Sequence, residues 1–231
     1  GNVIMAVIAI VLVAIVGHTV SIPIILAMLA VFFEISAGNV INDYFDYKID
    51  LINKPHRPIP SGRISPKSGR NYAYVLFVLG TICGFLISYL NKDWTAFIIV
   101  LISDVILYVY ARNLKSTPLI GNLTVGFMTG LCFAFGGYAI NNPQIIATSW
   151  FLGFFAFVMT TAREITKDIE DMEGDKAEGA KTFPILYGAK LSAIIAFALI
   201  IIDCLLCPLL YIQNVFNIIY LAIIAIAVVI L

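Results

Sequence analysis

Apolar runs long enough to cross a bilayer recur along almost the whole chain, and they leave little choice of fold. A crossing helix needs about 20 predominantly apolar residues. Within lipid every backbone amide and carbonyl must be satisfied inside the protein, which a helix does by itself. Eight segments are candidates: residues 1–16 (a short one), 21–50, 71–90, 95–110, 119–140, 147–166, 189–211 and 215–231. Only 12% of the residues are charged, about half the share usual in a soluble domain. The expected fold is therefore all-α, a polytopic transmembrane helix bundle with eight visible spans forming one domain over residues 1–231. Both ends lie in apolar sequence, so eight is expected to be a minimum.

The loops alternate in charge. Lys54, Arg57, Arg63, Lys67 and Arg70 fall in one, Arg112 and Lys115 in another, and Lys167, Lys176, Lys181 and Lys190 in a third, while residues 141–148 and 212–214 carry no charge. The positive-inside rule makes the basic side cytoplasmic. The formal net charge is zero, so nucleic acid is not an expected partner, and no signal-peptide pattern is present. Cys83, Cys132, Cys204 and Cys207 all lie in apolar runs. The CxxC formed by the last two has no nearby histidine or third cysteine and reads as small apolar filler rather than a metal or redox site.

Chemistry concentrates at the end of the second span. Asn42, Asp46 and Asp50 are four residues apart, so on a helix they form one column, and three oxygen donors in a column suit a hard divalent cation such as Mg²⁺. Lys54, His56 and Arg57 follow at once and suit a phosphate. Asp43 lies about 100° away around the helix and is expected to support the column rather than join it. The loop from Pro55 to Pro60 cannot be helical and is expected to fold its basic residues back over the column.

A second column lies at the end of the sixth span. Glu164, Asp168, Asp171 and Asp175 fall on one face if the helix persists past Gly174. Carboxylates at such spacing repel one another unless a cation sits among them, and acids bordering an apolar interior are costly and usually functional. Two Mg²⁺ ions between the columns would hold a diphosphate as a leaving group, with Arg57, Arg63, Lys67 and Lys115 on its remaining oxygens. Asp104, Tyr108 and Arg112, spaced by four in the fourth span, admit a local Asp–Arg or Asp–Tyr pair, and Tyr108 can face a cation with its ring. Glu34 lies deeper in the second span, and Asp203 has no evident partner. The glycines of the fifth span, Gly126, Gly130, Gly136 and Gly137, read first as close helix packing, with a prenyl-chain tunnel as the alternative.

The motif Asn42-Asp-Tyr-Phe-Asp-Tyr-Lys-Ile-Asp50 resembles the NDxxDxxxD motif of the UbiA superfamily of intramembrane prenyltransferases. Asn53-Lys-Pro-His-Arg-Pro-Ile-Pro-Ser-Gly62 resembles its continuation, Asp171-Met-Glu-Gly-Asp175 its second motif, and Leu107-Tyr108, Lys115 and Gly121-Asn122 its fourth-span tyrosine and following loop. The resemblance implies nine spans around a central cavity and Mg²⁺-dependent transfer of a prenyl group from its diphosphate. It implies metal-site roles for Asn42, Asp46, Asp50, Asp168, Asp171 and Asp175, catalytic roles for Asp46, Asp50, Asp171, Asp175 and Tyr108, and diphosphate or substrate contacts by Lys54, Arg57, Arg63, Lys67, Lys115 and Arg163. The run from Arg163 to Asp175, with Thr182-Phe-Pro-Ile, is similar to the branch that builds archaeal ether lipids. That branch joins a geranylgeranyl group to the free hydroxyl of geranylgeranylglyceryl phosphate, so the implied partners are a prenyl diphosphate, a lipid-phosphate acceptor and membrane lipid, with no obligate protein partner. Aromatic-acceptor members share much of the pattern and stand as the alternative. A transporter with a carboxylate-lined cavity is more distant, because it predicts acids near mid-membrane on several spans rather than at helix ends beside a basic cap.

Overall fold

Helix ends follow the punctuation of the sequence. The computed structural model describes residues 2–177 and 179–230 and is all-helical within them. In chain order the helices are α1 (Asn2–Val16), α2 (Ile22–Phe45), α3 (Tyr47–Asn53), α4 (Pro66–Asn91), α5 (Thr95–Val109, continued by a π-turn at Tyr110–Leu114), α6 (Ile120–Ile140), α7 (Pro143–Glu170), α8 (Met172–Ala177), α9 (Phe183–Tyr187), α10 (Ala189–Leu206), α11 (Leu209–Ile212) and α12 (Ile218–Ile230). Ser21 and Ser65 hold extended backbone just ahead of Pro23 and Pro66, and the Ser65 hydroxyl accepts from the Ser68 amide at 3.1 Å. A proline in the first turn forfeits no helical bond, and a serine cap satisfies one of the orphan amides. Asp93 does the same for α5. Its Oδ1 accepts from the Thr95 amide at 2.8 Å and hydroxyl at 2.6 Å, and these bonds hold its carboxyl below the usual range.

Among the described residues six helices are long and apolar enough to cross a membrane: Ile22–Phe45, Pro66–Asn91, Thr95–Leu114, Ile120–Ile140, Pro143–Glu170 and Ala189–Ile212. The expected first and last spans form helices of 15 and 13 described residues. Residues 1 and 231, at the ends of those spans, lie outside the described set. The second expected span, 21–50, is broken at Asp46 into α2 and α3.

The chain divides into two compact units, residues 1–115 with 132–149, and residues 116–131 with 150–231. In the first, α2 packs chiefly on α4, and also on α1 and α5. Alanines let these helices approach closely: Ala27, Ala30 and Ala37 of α2 and Ala73 of α4 are wholly buried. Ile10 of α1, Ile24 of α2, Ile87 of α4 and Val100 of α5 complete one core, joined by Phe135 and Ala139 of α6. The outward stripe of α4, including Tyr72, Val75, Val78 and Ile82, is apolar and exposed, as a lipid-facing surface requires. In the second unit α6 and α7 cross at glycine. A Cβ on Gly130 would come 2.5 Å from the Gly153 carbonyl oxygen, and one on Gly126 would strike the Thr161 hydroxyl and the Phe157 carbonyl. Gly136, in the first unit, meets Val13 and Ile10 of α1, and Gly137 meets Ser149. Close packing accounts for all four glycines.

Because the atom facing Gly130 is backbone, it cannot swing aside. Gly130→Ala is expected to destabilise the protein by about 1–3 kcal/mol, read as a lower midpoint of thermal unfolding in detergent. Gly174→Ala, with nothing within 4 Å of the added carbon, should leave that midpoint unchanged or slightly raised.

Candidate active site

The first column survives the break between α2 and α3. The Asp46 amide still donates to the Asn42 carbonyl at 2.9 Å, and the Asp50 amide to the Asp46 carbonyl at 2.8 Å. Asp46, at the junction, keeps right-handed helical backbone (φ −78°, ψ −2°). The four-residue spacing therefore still stacks Asn42, Asp46 and Asp50 on one face. The Asn42 amide donates to Asp46 Oδ2 at 2.9 Å.

Two basic residues neutralise this column, Arg57 from the loop that follows it and Lys115 from 69 residues beyond Asp46. Arg57 Nη1 donates to Asp43 Oδ1 at 2.7 Å and to Asp50 Oδ2 at 2.8 Å. It reaches them because the loop after α3 turns back, pinned by Ile59, whose side chain fills the space that Gly69 of α4 leaves open. Asp43 thus supports the column through Arg57. Lys115 pairs with Asp46 from the end of α5. The π-turn delivers it: the Lys115 amide bonds the carbonyl of Tyr110 rather than that of Ala111, which rotates this end away from the regular helical position. The same turn breaks the alignment of Arg112 with Asp104 and Tyr108, which precede it in α5. Arg112 is exposed, and Asp104 instead accepts from Thr81 Oγ1 of α4 at 2.9 Å. Tyr108 packs its ring edge-on against Phe45 at 5.5 Å, beside the last turn of α2. The remaining basic candidates are less engaged. Arg63 donates to the His56 carbonyl at 2.7 Å and to Ser61 Oγ at 3.1 Å, so it structures the loop, and Lys54 and Lys67 are exposed.

The second column repeats the junction. Asp171 lies between α7 and α8. Its amide donates to the Lys167 carbonyl, and the Asp175 amide to the Asp171 carbonyl, both at 2.9 Å. The helical ladder runs past Gly174, as the face requires. Asp175 and Glu164 both lie close enough to Asp168 for their charges to act on it. Sequence reasoning gave Asn122 no role of its own. From the first turn of α6, buried to 5% exposure, its amide donates to Asp168 Oδ2 at 2.8 Å. Its position four residues before Gly126, on the face that packs against α7, was the available signal. Arg163 pairs with its neighbour Glu164 and is otherwise exposed, about 140° around the helix from Asp168.

The donors fit Mg²⁺. Asn42 Oδ1 is buried with no hydrogen-bond donor, beside the Asp46 carboxylate. Among the described residues no three His, Cys, Asp or Glu side chains converge as a closed metal cage. Carboxylates strung one turn apart are an arrangement Mg²⁺ accepts, since it binds through one or two of them and takes its other ligands from water and substrate phosphate. All four cysteines are free.

A model of the UbiA prenyltransferase family matches residues 3–231, across both units. The chain belongs to the UbiA prenyltransferase family. It is accordingly a multi-pass membrane protein and a prenyltransferase. It is 72% identical over 230 residues to the digeranylgeranylglyceryl phosphate synthase of Methanobrevibacter smithii, covering 100% of this chain and 81% of that protein. A structure solved for work on digeranylgeranylglyceryl phosphate synthase in membranes matches with a TM-score of 0.82 at 38% identity, over 97% of this chain and 78% of that one. A UbiA homologue from Archaeoglobus fulgidus bound to DMAPP and Mg²⁺ shares the fold, with a TM-score of 0.75 at 20% identity over 97% of this chain and 80% of that one.

Asp50 keeps only 4% of its side chain exposed and leans on Arg57, which is 30% exposed. Arg57→Ala should therefore destabilise the protein by about 1–3 kcal/mol, less than loss of one partner from a fully buried pair because solvent reaches the arginine. Lys67→Ala, at an exposed position, should stay within about 0.5 kcal/mol of the parent. Thermal unfolding in detergent checks both.

Proposed function

We propose that this prenyltransferase moves a geranylgeranyl group from geranylgeranyl diphosphate to the free hydroxyl of geranylgeranylglyceryl phosphate, in archaeal ether-lipid synthesis. The observation that carries the substrate assignment is the 72% identity, over its whole length, to an enzyme named for that product. We assign Asn42, Asp46 and Asp50, with Asp168, Asp171 and Asp175, to binding Mg²⁺, and the alternating basic loops favour a cytoplasmic site.

Bound Mg²⁺ would offset the charge of the diphosphate and make it a better leaving group. The C1–O bond of the allylic diphosphate breaks and its electron pair leaves with the diphosphate. The acceptor hydroxyl oxygen bonds to C1 and gives up its proton to a carboxylate or to the departing diphosphate. Arg57 and Lys115, each holding a column carboxylate, are placed to exchange that partner for a phosphate oxygen, with Lys54, Arg63, Lys67 and Arg163 as further cations. Tyr108 supplies an aromatic face for the allylic cation. Asn122 fixes the Asp168 carboxylate from α6.

Detergent-solubilised protein given geranylgeranyl diphosphate and Mg²⁺ should release diphosphate only when geranylgeranylglyceryl phosphate is also present, and EDTA should stop it. Release driven instead by an aromatic acceptor such as 4-hydroxybenzoate would replace the lipid acceptor with the aromatic one. Asp46→Ala and Asp171→Ala should each abolish turnover in a protein that still folds, and full activity in either would refute the metal assignment. Asn122→Ala removes a hydrogen bond to a charged group worth about 1.5–3 kcal/mol. It should raise the Mg²⁺ concentration for half-maximal activity roughly tenfold or more, with a smaller change in the KM of the acceptor.

A further inference from the structure

Glu34 and Asp104 lie outside the acidic columns, and prenyl transfer makes no use of them. Glu34 sits midway along α2 and is 6% exposed. Both of its carboxyl oxygens are buried with no donor, and so is Oδ1 of Asp104 on α5. The two carboxyls are within hydrogen-bonding reach of each other. Asp104 Oδ2 already accepts from Thr81 of α4 at 2.9 Å. The Glu34 carboxyl lies against Gly80 of α4, in the space any side chain there would take. The other titratable group facing it is Cys83 of α4. Among the described residues no lysine, arginine or histidine forms an ion pair with either acid.

Two carboxylates cannot both stay charged and undonated in a hydrocarbon interior. Some cation must join them, and the oxygen count chooses which. Three undonated oxygens fall short of the six or more that Mg²⁺ or Ca²⁺ requires, and a hydrocarbon interior holds no water to supply the rest. The Thr81 hydroxyl, which keeps its lone pairs while it donates, raises the count only to four, and the helix carbonyls are engaged within their helices. A proton needs only two oxygens.

We propose that Glu34 and Asp104 share a proton, forming a proton-binding site that clasps α2 to α5 across Gly80 of α4. The proton is taken from solvent and resides on Glu34. Its hydroxyl donates to Asp104 Oδ1, while the Thr81 hydroxyl donates to Oδ2. Asp104 keeps the one remaining negative charge with a donor on each oxygen. This satisfies two of the three orphan atoms without any basic residue and fixes the rotation of α2 two turns before Asn42.

The test is infrared difference spectroscopy of the full chain in lipid nanodiscs at neutral pH, comparing the wild type with Glu34→Gln and Asp104→Asn. The wild type should show a protonated-carboxyl C=O band that Glu34→Gln removes. The Gln amide still donates to Asp104, so unfolding should occur within a few degrees of the wild type. In Asp104→Asn the band should persist at a shifted frequency, because the Glu34 hydroxyl then meets an amide instead of a carboxylate. Should Glu34→Gln fail to fold, that shift decides alone: its presence supports the shared proton and an unmoved band refutes it. Absence of any such band in the wild type, or thermal stability that depends on Na⁺ or Mg²⁺ in the wild type but not in Glu34→Gln, would overturn the proposal in favour of a metal ion.

Discussion

A carboxylate at the rim of an apolar helix must be met by a donor or a cation, and the structure meets its acids from other elements. Asp50 is almost fully buried and rests on Arg57, seven residues on and inside the proline-rich loop. Asp46 rests on Lys115, 69 residues away. Asp168 rests on Asn122, 46 residues away. Each pairing ties a second element to an acidic helix end. The loop after α3 and the end of α5 are thereby placed by the charges of the first column, and the start of α6 by those of the second.

The two ion pairs differ in how readily they exchange. Arg57 and Lys115 keep 30% and 45% of their side chains in solvent, and the more exposed Lys115 pair contributes little net stability. A phosphate oxygen can replace the Asp46 carboxylate on Lys115 at small cost, whereas on Arg57 it must also offset leaving the buried Asp50 without its partner. A column of carboxylates one turn apart, with an undonated amide oxygen beside it, is likewise open to a divalent ion that brings its own water and phosphate ligands. Both columns break at their middle aspartate, between α2 and α3 at Asp46 and between α7 and α8 at Asp171, while the backbone bonds continue through the break.

Much of this was legible from local sequence. Spacing by four placed Asn42, Asp46 and Asp50 together, and the ladder past Gly174 kept Asp168, Asp171 and Asp175 on one face. The prolines from Pro55 to Pro60 excluded a helix and turned Arg57 back. Where the reading failed, the reason was a departure from regular local geometry. The π-turn at Tyr110–Leu114 has no distinctive composition. It undoes the i, i+4 alignment of Tyr108 and Arg112 and sends Lys115 to Asp46. The break of the expected span 21–50 at Asp46 was likewise not announced by its apolar composition.

By itself the sequence determined the helical class, the recurrent spans, the two acidic faces and the family, because apolar run length and helical period are properties of adjacent residues. Tertiary structure decided the partner of each acid: Thr81 for Asp104, Arg57 for Asp50, Lys115 for Asp46 and Asn122 for Asp168. A buried charge selects its partner by distance through space in a low-dielectric interior. Separation along the chain carries almost none of that information.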